Sequence, residues 1–146
     1  MHILYVTNDW YESAVHRNLV FAIAQCRADM CISVYVPLKI YETVDIDKNL
    51  PDNVKVYTSF VLHNRHKFLY KSKLRVLLKD VQETIPDIHS VDLVHSATQC
   101  LGGGVAFVLK KKTGIPYITA IRDTDVNVYY RFLIWQRGVF QKILDH

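Results

Sequence analysis

Nowhere in this sequence do about 18 apolar residues run together, so no segment reads as a helix that crosses a bilayer. The opening "MHILYVTNDW" has no basic stretch, and its apolar run is too short for a secretory leader. Cysteine is scarce. Cys26, Cys31 and Cys100 make an odd number without CxxC spacing, which argues against a disulfide framework and a cysteine-ligated zinc. A reducing, cytoplasmic setting is the expectation. Glycine is scarce too, and no GxxxxGK[ST] loop occurs, which excludes P-loop nucleotide hydrolysis. Repeats and low-complexity tracts are also missing.

What is present is an ordinary globular mixture. Half of the 146 residues are hydrophobic and 22% are charged, enough for a single domain spanning 1–146. The formal charge of +4 is unevenly spread. "HNRHKFLYKSKLR" (63–75) holds five Lys or Arg and no acid, and "KKK" stands at 110–112. Acids concentrate in "YETVDIDKNLPDN" (41–53). Each run is either a solvated face or a surface for phosphates or anionic lipid, and composition leaves both open.

Five short stretches read as strands: "ILYVT" (3–7), "ISVYV" (32–36), "VKVYT" (54–58), "DLVHS" (92–96) and "YITAI" (117–121). Between them lie amphipathic stripes. Val15, Leu19, Ala22, Ile23 and Cys26 form one. Leu74, Leu77, Leu78, Val81 and Ile85 form a second, ending before Pro86, and Leu101, Val105, Val108 and Leu109 a third, closed by Gly114 and Pro116. A fourth, aromatic-rich helix is expected from about Val128 to the end. The link 37–53 is polar and reads as a loop. Alternating strands and helices predict an α/β, doubly wound, mainly parallel sheet in the order 3-2-1-4-5, with helices on both faces.

In such sheets ligands bind beyond the carboxyl ends of the strands. A dinucleotide-binding unit needs a glycine-rich turn after its first strand, and "TNDWYES" has none. A phospho-accepting receiver needs an Asp closing strand three, which here ends "YTSF". Chemistry is left at the ends of strands one, four and five. His95 closes strand four, either as a functional group or in a structural hydrogen bond. Gly102, Gly103 and Gly104 open the next helix, either to offer N–H groups to an anion or to permit tight packing. Arg122 and Asp125 follow strand five. Asp125 either belongs to the site or caps the following helix.

The run "DLVHSATQCLGGGVAFVLKKKTGIPYITAIRDTD" (92–125) resembles the N-terminal domain of GT-B glycosyltransferases of the family-4-like group. "MHILYVTNDWYESAVHRNLVFAIA" resembles their first strand, loop and helix. The resemblance spans nearly the whole chain and is weakest over residues 37–90. It implies a Rossmann-like acceptor-side half, with the nucleotide-sugar donor held on a second domain absent from these 146 residues. By that resemblance His95 and Asp125 are catalytic candidates, and Asn8, Asp9 and Trp10 lie near the substrate. Arg122, which departs from the family pattern, joins the catalytic candidates on its own chemistry. Gly102 and Gly103 are substrate-binding candidates through their N–H groups. Many members carry a His where this chain has Arg122. An always-charged guanidinium cannot shuttle a proton, but it can clamp a phosphate or a developing negative charge.

The implied function is sugar transfer to a glycan or lipid-linked acceptor, inactive in this domain alone, with retention of configuration suggested only by the resemblance. The alternatives are a sugar-phosphate or small-molecule binding module of flavodoxin-like topology, and a protein-interaction domain. No cofactor and no nucleic-acid partner are implied. His63 and His66 stand three apart without a third ligand, so no metal is expected. Lys71, Lys73 and Arg75, interleaved with Phe68, Leu69, Tyr70 and Leu74, suggest peripheral contact with an anionic membrane at its inner face.

Overall fold

A computed structural model describes residues 1–44 and 49–145. Asp45 and Asp47 of the acidic stretch, and the side chain of Lys67 in the basic one, lie outside the described residues. Five strands, β1 (His2–Val6), β2 (Cys31–Lys39), β3 (Val54–Leu62), β4 (Leu93–Ser96) and β5 (Tyr117–Thr119), form one sheet. Every pairing is parallel and the order is β3-β2-β1-β4-β5, the doubly wound arrangement that the alternation of elements implies.

Strand alternation sorts the core onto two faces. Leu4, Val6 and Val94 meet Leu77 and Val81 of α2 (Tyr70–Thr84) and Val105 and Leu109 of α3 (Gly104–Thr113). On the opposite face Tyr5, Ile32 and Val34 pack with Trp10 and with Val20 and Ala24 of α1 (Ala14–Cys26). Each such aliphatic contributes roughly 1.5–3 kcal/mol on burial. A smaller cluster joins Tyr70, Cys100 and Phe107 to Phe140 and Ile143 of α4 (Arg137–Leu144). Gly114 ends α3 at φ 80°, a left-handed cap that suits glycine. Among the described residues no helix is long and apolar enough to cross a membrane.

Four expectations need correction. First, β2 runs on through Pro37 and Leu38 to Lys39, so the link to β3 is shorter than 37–53, and β3 itself continues beyond Thr58 to Leu62. Pro37 is tolerated because Tyr35 makes the last β2 contact with β1, through Thr7 N–H (3.1 Å). The missing N–H of Pro37 points to the side that β1 has already left. Second, β5 stops at Thr119 rather than Ile121.

Third, α1 buries a different face. His16, Val20 and Ala24 point inward, whereas Val15 and Leu19 of the expected stripe are exposed and Ile23 is half-buried. The helix is apolar on more than one side, and the bond between Tyr5 Oη and His16 Nδ1 (2.7 Å) fixes which side turns in. Fourth, the last helix is broken. A π-helical turn (Asp125–Tyr130) gives way at Leu133 to a 3-10 turn (Ile134–Gln136) before α4 begins. Arg137 bonds the carbonyls of Tyr130 (2.7 Å) and Arg131 (3.3 Å), satisfying acceptors that the break frees.

Candidate functional site

The strand ends converge on a cavity of about 360 Å³. Asn8 and Asp9 line it from the loop after β1, Thr98 and Cys100 from the turn after β4, and Arg122, Thr124 and Asp125 from the loop after β5. His66 enters from the 3-10 turn Asn64–Lys67, Tyr70 and Lys73 from the start of α2, and Tyr129, Leu133, Gln136 and Phe140 close the remaining side.

Of the residues singled out in the sequence, the structure brings Asn8, Asp9, Arg122 and Asp125 together around this space. Trp10 is fully buried in the α1-side core, so the expected substrate contact is corrected to a packing role. Gly102 and Gly103 are buried and do not line the cavity. A Cβ on Gly102 would collide with the Ser96 side chain, and one on Gly103 would crowd Ile143 and Thr119 at 3.1 Å. The two glycines allow close packing of the β4–α3 turn. His95 is half-buried on the α1 face of the sheet, edge-on to the Tyr5 ring at 4.9 Å, and lies outside the cavity lining. Desolvation lowers its pKa.

Asp125 is buried and its carboxylate is engaged. It accepts the backbone N–H groups of Gln99 (3.2 Å), Cys100 (3.1 Å) and Arg122 (3.0 Å). It therefore caps the π-helical turn Gln99–Gly103 that leads into α3, and it also holds the Arg122 N–H at the start of its own helical segment. Burial first, then the bond to Asp125, pushes the Cys100 thiol above its ordinary range. The thiol is inert at neutral pH.

No protein-family model matches this chain, and no curated protein matches it significantly.

Arg122 forms no ion pair among the described residues. Its charge acts on Tyr5, whose phenol burial pushes up to about 12 against the pull of the guanidinium. It also acts on His16, whose pKa is lowered by desolvation and then by Arg122. Tyr5 and His16 are thus polar groups beside the site that the motif reading missed, because His16 lies outside the apolar stripe expected for α1.

The other missed residues are His66, Tyr70, Lys73 and Gln136. A signal for Lys73 exists in the sequence. It stands three after Tyr70 and four before Leu77, on the buried stripe of α2, whereas Lys71 and Arg75 are on the exposed side. Desolvation lowers the pKa of Lys73, and among the described residues no carboxylate pairs with it.

Proposed function

We propose that this chain is the acceptor-side domain of a glycosyltransferase, moving a sugar from a nucleotide-sugar donor held on a separate domain to a glycan or lipid-linked acceptor. The observation that carries this reading is the cavity lined jointly by Asn8, Asp9, Arg122 and Asp125 from the ends of β1 and β5. In a doubly wound sheet that edge is where ligands bind. Arg122 offers a planar cation to the phosphates or the developing charge of a leaving group. Asp125 positions Arg122 by holding its backbone N–H.

The test has two parts. The purified 146-residue chain, offered nucleotide-sugars and candidate acceptors, should transfer nothing. Joined to its donor-binding domain it should be active, and Arg122→Ala should then lower turnover by about tenfold or more, with Arg122→Lys recovering part. Turnover by the isolated chain, or near-normal turnover in Arg122→Ala, would overturn the assignment.

Peripheral contact with an anionic membrane belongs to the same proposal. Phe68 and Leu69 are 72% and 54% exposed beside the exposed Lys71. Phe132, Ile134 and Trp135 are exposed near Arg131 on the segment across the cavity. Lys73 contributes less to that surface because it turns into the cavity. Cosedimentation with anionic vesicles should weaken with salt and with charge reversal at Lys71 and Arg75. Binding indifferent to both would remove the membrane contact.

A further inference from the structure

The α2 end of the cavity gathers polar groups that the protein itself leaves unsatisfied. His66, Tyr70 and Gln136 are 3%, 8% and 5% exposed, and all three line the cavity. His66 Nε2, the Tyr70 hydroxyl and Gln136 Oε1 have no hydrogen-bond partner among the described residues. Leaving such a group unpaired costs roughly 1–3 kcal/mol, so three in one place mark a site built for a ligand.

The donor atom of His66 follows from its neighbour, and the Tyr70 hydroxyl can donate in any setting. His66 Nδ1 accepts the backbone N–H of His63 at 3.1 Å, so the proton of the neutral ring sits on Nε2. The Tyr70 ring is held edge-on to Phe140 at 5.6 Å, and a Cβ on Gly104 would collide with its hydroxyl. Lys73 adds a desolvated ammonium. His66 enters from the 3-10 turn Asn64–Lys67 and Tyr70 and Lys73 from the first turn of α2, so two hydrogen-bond donors and one cation come from one short stretch of chain.

We propose that this end of the cavity is a subsite for a phosphate ester, with Lys73 supplying the charge, His66 Nε2 and the Tyr70 hydroxyl donating to phosphate oxygens, and Gln136 Oε1 accepting from a hydroxyl of the same ligand. Three donors suit a tetrahedral anion better than a planar carboxylate. The carboxylates that share the cavity do not compete for Lys73, since Asp125 is engaged by three backbone N–H groups and Asp9 accepts from Asn8 at 2.6 Å. That the phosphate belongs to the sugar acceptor rests on the glycosyltransferase reading, while the binding itself does not.

Calorimetric titration of the full chain would use glucose 1-phosphate, geranyl phosphate, inorganic phosphate and the unphosphorylated parents of the two esters. Saturable binding of either ester, and of neither parent, is expected. The tighter ester identifies the source as a soluble sugar phosphate or a lipid phosphate. Lys73→Met should weaken that ester by about tenfold or more, Tyr70→Phe by less, and Lys79→Met not at all. In the unmodified protein the ester should also shield Lys73, but not Lys79, from amine acetylation. Binding of inorganic phosphate alone, equal affinity in Lys73→Met, or an unshielded Lys73 would overturn the subsite. Ester binding without sugar transfer by the protein joined to its donor-binding domain would leave the subsite standing and overturn the acceptor assignment instead.

Discussion

Lys73 sits on a helix face otherwise given to Tyr70, Leu77 and Val81, and its ammonium is partly desolvated without gaining a carboxylate among the described residues. The folded state therefore bears a cost for the charged form that the unfolded chain does not. Folded and unfolded chains differ in proton uptake between the lowered folded pKa and the ordinary 10.5. There the unfolded chain binds more protons, so this cost is relieved as pH rises through that window. At neutral pH Lys73→Met should raise stability by about 1 kcal/mol while weakening phosphate binding, the usual trade between a site and its scaffold. Thermal melts of the two proteins check it, and a lower melting temperature in the variant would contradict it. The charges at this scale were legible, but their roles were not. Lys73 and Lys71 look alike in "YKSK", and only the burial of the face shared with Tyr70 separates them. Trp10, adjacent to Asp9 in the sequence, faces the core because the chain turns sharply there, with Ser13 N–H bonding the Asp9 carbonyl at 2.9 Å.

Among the elements, the turns after β4 and β5 are stitched together by one carboxylate. Asp125 bonds Gln99 and Cys100 on one turn and Arg122 on its own. Asp125→Ala would leave backbone donors unsatisfied, two of them in bonds buried from solvent, and should destabilise the protein by about 3 kcal/mol. Urea unfolding measures this. Arg122→Ala should change stability by no more than about 0.5 kcal/mol, which separates a structural Asp from a functional Arg. α3 is also buried at Ala106 and Phe107, outside its expected stripe, because it packs against both the sheet and α4. The α2 stripe was readable because it has one clear apolar period. The inward face of α1 was not, because Val15, Leu19, Val20, Phe21 and Ile23 offer two competing stripes and a buried His16 decides between them. The break at Leu133 was hidden for a related reason. The bonds from Arg137 that stabilise it join residues six and seven apart, a relation no helical period displays.

Over the whole molecule, His2, His16, His66 and His95 all have pKa values below the ordinary 6.5, with desolvation the leading cause in each. Below about 6.5 the unfolded chain takes up protons that the folded chain resists until its lower pKa values are reached. Their contribution is intact above 6.5 and is lost as pH falls through that window. The melting temperature should drop by about 5 °C or more between pH 7 and pH 5, and a flat profile would contradict this. Protection within the sheet is also uneven. β5 is three residues long and among the described residues pairs only with β4, while Ile118 on it is 51% exposed. A short edge strand of this kind opens before the rest of the sheet melts. The segment bearing Arg122 and Asp125 follows it directly, so the cavity wall is expected to open with this strand. Ligand occupancy and amide exchange at β5 then share a single opening equilibrium. A molecule clasped by Arg122 slows exchange at Ala120, whose N–H bonds the Ser96 carbonyl at 2.9 Å, and whatever frays that edge loosens the clasp by the same factor.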